Sequence, residues 1–147
     1  MKLRKGDKAR DFTAQDQNGQ SHSLQDYANQ WLLLYFYPKD FTPGCTAEAC
    51  ALRDNFSELK KHCQVVGVSA DSAVSHKKFQ AKYDLPFTLL ADPQRKLIKS
   101  YGANGIIFSR RVSFLIDPQS KIRKIYNQVK PAEHATQVLE DLRSLSK

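Results

Sequence analysis

The sequence predicts a layered α/β domain, with a mixed central sheet and helices on its faces. Short apolar or β-branched runs recur along the chain at residues 31–37, 64–70, 87–91 and 112–116. The segments between them carry apolar residues at helical spacing. After the fourth run, a turn at Asp117-Pro-Gln-Ser120 folds the chain back into a fifth run over 122–127, which makes the sheet mixed rather than purely parallel.

Each element has its own local reason. Residues 11–14 and 21–24 flank Gln17-Asn-Gly19, and Asn-Gly favours the tight turn of a β-hairpin, so the chain is expected to open on one. Residues 31–37, Trp-Leu-Leu-Leu-Tyr-Phe-Tyr, form an unbroken apolar run that ends at Pro38, as a strand buried on both faces does. Leu52, Phe56 and Leu59 predict a helix over 43–61. Val65, Val66 and Val68 mark a strand over 64–70, and Phe79 and Tyr83 a helix over 73–84. A short strand over 87–91 is followed by a helix over 93–101, with Asp92 as N-cap, Pro93 at the first helical position and Gly102 as the stop. The hairpin 112–116/122–127 precedes a last helix over 132–146, which carries Ala135, Val138, Leu139, Leu142 and Leu145. No repeat, linker or low-complexity stretch divides the chain, so residues 1–147 read as one domain.

A chain of 147 residues buries enough surface to fold without disulfide staples. Its 41% hydrophobic and 26% charged content fits a globular protein and excludes collagen-like and low-complexity classes. The longest apolar run is far short of the roughly 20 residues a membrane helix needs. Met1–Lys8 holds charge but no apolar stretch of a secretory signal, so a cytoplasmic location is expected. The net charge of +8 raises the question of nucleic acid. Its basic residues are scattered, however, with short clusters only at Lys60-Lys61, Lys77-Lys78 and Arg110-Arg111, and no nucleic-acid motif accompanies them.

The chemistry concentrates in Tyr37-Pro-Lys-Asp-Phe-Thr-Pro-Gly-Cys-Thr-Ala-Glu-Ala-Cys50. The three cysteines, Cys45, Cys50 and Cys63, are an odd count that argues against a disulfide framework. Thr42 suits an N-cap, Pro43 the first helical position, and Gly44 a close approach by another backbone or a ligand. Cys45 then falls in the first helical turn beyond the carboxyl end of a central strand, where open α/β sheets hold their ligands. Free amides and the helix dipole favour the nucleophilic thiolate there. A buried packing cysteine is the bland alternative. The Pro-Gly pair, the flanking hydroxyl and a second cysteine five positions on argue against it.

Cys50 poses a geometric problem. Five helical residues span about 7.5 Å of rise and about 140° of rotation. That separation lies outside the ~4.4–6.8 Å between Cα atoms that a disulfide needs. A Cys45–Cys50 bond therefore requires the helix to unwind, and otherwise Cys50 packs beside Leu52. Cys63, next to His62, reads as a packing residue. A metal site made from the cysteines and His62 lacks the usual zinc spacing. A cysteine hydrolase would need a histidine base, and His22, His62, His76 and His134 lie outside any recognisable motif.

The pattern Pro38-x3-Thr42-x2-Cys45 resembles the active-site pattern of peroxiredoxins. The longer string from Phe36 to Cys50 is similar to the peroxiredoxin Q, or bacterioferritin comigratory protein, subfamily, whose mark is a second cysteine five residues after the first. Leu52-Arg-Asp54, Val66-Gly-Val-Ser-Ala-Asp71, Phe87-Thr-Leu-Leu-Ala-Asp92 and Arg111-Val-Ser-Phe-Leu-Ile-Asp117 extend the likeness over nearly the whole chain. The segment 101–110 is shorter than in some members, which bears on pocket width.

The resemblance implies a thioredoxin-like fold and a thiol peroxidase acting on hydrogen peroxide and organic hydroperoxides. In it Cys45 is the peroxidatic cysteine and Cys50 the resolving one; Cys63 is not part of the motif, and a resolving role for it is the less expected alternative. Thr42 hydrogen-bonds thiolate and peroxide, Pro38 shields the pocket, and Arg111 rather than Arg110 keeps Cys45 ionised. Thioredoxin or a related dithiol protein is the implied reductant, no metal or other cofactor is needed, and a monomer is expected. Two rivals from other classes are a thioredoxin-fold binding protein with incidental thiols, which would tolerate Cys45→Ser, and a basic nucleic-acid module.

Overall fold

The computed structural model describes residues 2–145. Seven strands form one sheet: β1 (Thr13–Asp16), β2 (Ser21–Ser23), β3 (Trp31–Phe36), β4 (Cys63–Ser69), β5 (Thr88–Ala91), β6 (Val112–Ile116) and β7 (Ile122–Tyr126). Their order is β2-β1-β5-β4-β3-β6-β7. β3 runs parallel to β4, and β4 to β5, while β6 lies antiparallel to β3 and β7 to β6. The mixed sheet expected from the closing hairpin is therefore present. The opening hairpin forms around Gly19, which has a φ of 78° that suits glycine, and its β1 strand joins the sheet through β5.

Five helices cover the sheet: α1 (Pro43–Asp54), α2 (Phe56–Leu59), α3 (Ala73–Tyr83), α4 (Lys96–Ser100) and α5 (His134–Leu145). The alternation of β3 sorts its side chains between two cores. Leu33, Tyr35 and Tyr37 pack with Cys45, Ala49 and Leu52 of α1, Phe79 of α3, and Val138 and Leu142 of α5. Leu32, Leu34 and Phe36 pack on the other face with Leu97 and Ile98 of α4 and with Phe12 and Tyr27 from the N-terminal segment. β3 is thus buried on both sides, as its unbroken apolar run requires.

Several expected boundaries move, each for a local reason. The helix expected over 43–61 is two helices, because Asn55 turns its side-chain amide onto the Ala51 carbonyl (2.8 Å) and takes a φ/ψ of −104°/5°. The helix expected from Pro93 starts at Lys96, after a turn in which the Arg95 amide bonds the Asp92 carbonyl. Asp92 still caps it, but through its carboxylate, which accepts the Ile98 amide at 2.7 Å. The first hairpin strand sits two residues later than expected, and the second starts at Ser21 as expected but ends at Ser23, because Leu24 opens a 3-10 turn, Leu24–Tyr27. The last helix starts at His134 rather than at 132, and its expected end at Ser146 lies outside the described residues.

Candidate active site

The site lies at the carboxyl end of β3. Beyond Phe36, the Tyr37 amide still bonds the Val68 carbonyl, and the chain then leaves the sheet in a loop that ends at the N-cap Thr42. Pro43 opens α1, and Cys45 falls in its first turn, 1% exposed. β6 runs antiparallel beside β3 and pairs Val112 with Phe36. This register sets Arg111 at the end of β3, on the face opposite Val112. Its Nη2 donates to Cys45 Sγ at 3.4 Å. Arg110 points elsewhere, to the Gly102 carbonyl (2.6 Å). The strand register thus separates the two arginines as their sequence positions require.

Gly44 makes the approach possible. A Cβ there would stand 2.8 Å from Arg111 Nη2. The group that comes close at this glycine is the Arg111 side chain rather than the backbone or ligand expected there.

Sequence reasoning missed Glu48. It lies one helical turn after Cys45, is fully buried, and holds Arg111 Nη1 on its Oε1 at 2.7 Å. Burial pushes its carboxyl up to about 7, against the opposing pull of Arg111. Its Oε2 and the nearby Tyr35 hydroxyl are buried without a hydrogen-bond partner. Arg111 is itself half-buried. Burial works against its charge, but Glu48 and Cys45 outweigh this and raise its pKa. A signal for Glu48 was available: the buried side of α1 reads Cys45, Glu48, Ala49, Leu52, and Glu48 is the one charged residue in that stripe.

The other expected residues are placed as follows. Pro38 and Thr42 are half-buried in the loop. The Thr42 hydroxyl donates to the Lys39 carbonyl at 2.7 Å, so its proton is committed and its oxygen is left to accept. While the Lys39 bond holds, Thr42 cannot also donate to Cys45, so the thiolate hydrogen bond expected of it needs the hydroxyl to turn. Cys50 is half-buried and free on the same intact helix as Cys45. Cys63 opens β4 opposite Trp31, at the far end of the sheet. The strand between the two ends spans about 17 Å, so Cys63 is no neighbour of Cys45. Burial pushes its thiol up to about 12, as befits packing. His134 is buried against Ser113, whose Oγ lies 2.8 Å from its Nε2. Burial lowers its pKa to about 4, so the ring is neutral at neutral pH.

A model of the AhpC/TSA family matches residues 5–125. The chain belongs to the AhpC/TSA family. It is 43% identical over 148 residues to the chloroplastic peroxiredoxin Q of Arabidopsis thaliana, covering 97% of this chain and 68% of that one. The peroxiredoxin Q of Oryza sativa subsp. japonica is 42% identical over 149 residues, covering 98% and 69%. Among solved structures, a cysteine-to-serine mutant of PrxQ from Xylella fastidiosa superposes with a TM-score of 0.95 at 32% identity, covering 100% of this chain and 99% of that one. The bacterioferritin comigratory protein of Xanthomonas campestris superposes at 0.88 with 31% identity and 92% of both chains. The fold is that of thioredoxin-like peroxiredoxins, and the protein is a thiol-dependent peroxidase of the peroxiredoxin Q type.

Gly44→Ala is expected to push the Arg111 guanidinium off Cys45 and to slow peroxide reduction about 10- to 100-fold with the fold intact. Stopped-flow oxidation and far-UV circular dichroism together check this.

Proposed function

We propose that Cys45 is the peroxidatic cysteine, Cys50 the resolving cysteine, and Pro38, Thr42 and Arg111 the frame that holds the peroxide. The observation that carries this reading is the buried contact of Arg111 Nη2 with Cys45 Sγ, 3.4 Å long and backed by Glu48. The guanidinium sets a fixed donor and a positive charge beside the sulfur. The thiolate attacks one oxygen of R–O–O–H: an S–O bond forms, the O–O bond breaks, and the sulfur gives up two electrons. The product is Cys45 sulfenic acid, and the departing oxygen takes a proton to leave as water or an alcohol. Arg111 offers fixed donors for the charge that builds on that oxygen. Thr42, its own proton on Lys39, accepts the peroxide O–H. Pro38 keeps water from the pocket.

The Cys50 thiol then attacks the sulfenic sulfur, an S–S bond forms, and water leaves. Exchange with a thioredoxin-type dithiol protein restores both thiols. An intrachain resolver makes a monomer sufficient, and a reducing compartment such as the cytoplasm suits three free thiols. The work on the X. campestris relative concerns alkyl peroxide reduction, which supports organic hydroperoxides beside hydrogen peroxide as substrates here.

Cys45→Ser tests this reading. The variant is expected to lose all measurable peroxide consumption with hydrogen peroxide and with an alkyl hydroperoxide. Consumption at the wild-type rate would overturn the assignment and return the thiols to an incidental role.

A further inference from the structure

The loop between β3 and α1 carries strain at its centre. Phe41 has a φ of 66°, in the left-handed region, which is unfavourable for a bulky residue. Its ring is 43% exposed and meets only the edge of α3, with Phe79 at 5.1 Å and Tyr83 at 6.5 Å between ring centroids. Such a conformation persists only where the surroundings fix it.

The residue before it supplies the fixing. The Asp40 side chain is 1% exposed. Its carboxylate accepts the Tyr37 hydroxyl at 2.6 Å and the Ser75 hydroxyl at 2.8 Å, and meets His76 Nδ1 at 2.7 Å. The Asp40 amide donates to Asp71 Oδ2 at 2.8 Å. The His76 ring is fully buried, and its Nε2 faces the Leu90 carbonyl at 3.0 Å. A carbonyl only accepts, so Nε2 carries a hydrogen. With two hydroxyls donating to the Asp40 carboxyl, its contact with His76 Nδ1 shares one more hydrogen between the two side chains. The pair is a buried, hydrogen-bonded histidine–carboxyl clasp between α3 and the loop.

The clasp reaches both walls of the peroxide pocket. The loop it holds contains Pro38 and Thr42. Tyr37, whose hydroxyl bonds Asp40, accepts Ser109 Oγ on its carbonyl at 2.6 Å, two residues before Arg111.

We propose that Asp40 and His76 are positioning residues for peroxide reduction: as a buried hydrogen-bonded pair they lock the strained Phe41 loop, which sets Pro38 and Thr42 in register with Arg111 around Cys45. The proposal rests on the peroxidase reading of the same site. Neither residue touches Cys45, so neither is catalytic.

The test compares two reactions of Cys45. Alkylation by iodoacetamide needs only a nucleophilic sulfur, whereas reduction of hydrogen peroxide also needs the pocket. Asp40→Asn and His76→Gln are expected to lower the ratio of the peroxide rate to the alkylation rate at least tenfold, each followed by mass spectrometry on Cys45. Ser75→Ala removes one donor to Asp40 and leaves the pair itself in place, and is expected to lower the same ratio two- to fivefold. It keeps the test decisive where the Asp40 and His76 variants do not fold. A ratio within twofold of wild type in the folded Asp40 and His76 variants, or unchanged in Ser75→Ala where those do not fold, would overturn the proposal. Equal losses in both reactions would do the same, because they would show a merely structural role. A wild type inert to peroxide would overturn the peroxidase reading and this proposal together, whereas an active wild type with unaffected variants would sink this proposal alone.

Discussion

Arg111→Gln is expected to slow the reaction of Cys45 with hydrogen peroxide by about 100- to 1,000-fold, the range seen when a fixed donor to developing charge is removed. Glutamine keeps some hydrogen bonding but loses the charge beside the sulfur and the second donor. Lysine is expected to recover little. Arg111 holds Cys45 Sγ through Nη2 and Glu48 Oε1 through Nη1, and one ammonium cannot reproduce that planar fork. Single-turnover fluorescence or mass spectrometry measures the loss.

The same variant has a pH signature that comes from Glu48. Its folded-state pKa of about 7 lies above the ordinary value of 4.5. Below the ordinary value the carboxyl holds its proton whether the chain is folded or not. As pH rises to about 7, the unfolded chain releases that proton while the folded one keeps it, so stability falls by up to ~3 kcal/mol. Above that the contribution is flat. Without Arg111 the opposing pull is gone, and the fall is expected to continue past neutrality. Urea midpoints near pH 6 and pH 8.5 should therefore diverge more in Arg111→Gln than in the wild type. Parallel midpoints would mean that Glu48 does not feel the guanidinium.

Oxidation of the two-cysteine pair is expected to unwind the first half of α1. Cys45 and Cys50 share one unbroken helix over Pro43–Asp54, five residues apart. Their Cα separation along such a helix exceeds what a disulfide spans. Forming the bond removes Cys45 from its buried contact with Arg111 and breaks the turn in which the Thr46 amide bonds the Thr42 carbonyl at 2.9 Å. Hydrogen exchange should show the amides of residues 46–50 opening at least about 100-fold faster in the disulfide form than in the dithiol form. Those of β3, β4 and β6 should be unchanged. Equal protection of α1 in both forms, with the bond present, would contradict this account. Where unwinding is slow, Cys45 sulfenic acid persists long enough for a second peroxide to carry it to the sulfinate.

Much of this was legible in the sequence for physical reasons. The two-sided burial of β3 is written in seven consecutive apolar residues, because a central strand needs no polar face. The placement of Cys45 follows from Thr42-Pro-Gly, which fixes where a helix can begin. The preference for Arg111 over Arg110 comes from the family resemblance of Arg111-Val-Ser-Phe-Leu-Ile-Asp117, and strand periodicity adds only that the two neighbours face opposite sides. What the sequence hid depends on contacts between distant segments. Glu48 shows in the sequence only as a charge within an apolar helical stripe, and its partner Arg111, 63 positions away, is found only once the chain is folded. The Asp40–His76 clasp joins residues 36 positions apart and leaves only a lone histidine in a helix to be read. The late start of α4 was hidden because Asp92 can cap from two places, directly or through a turn, and local propensity does not choose between them.

The central claim is that Cys45 attacks and Cys50 resolves. Mass spectrometry of the wild type and of Cys50→Ser after one equivalent of hydrogen peroxide tests it most directly. The account predicts a loss of two hydrogens with a Cys45–Cys50 crosslink in the wild type, and sulfenic acid on Cys45 in the variant. A crosslink from Cys45 to Cys63, or a Cys45 that stays reduced in both proteins, would contradict it.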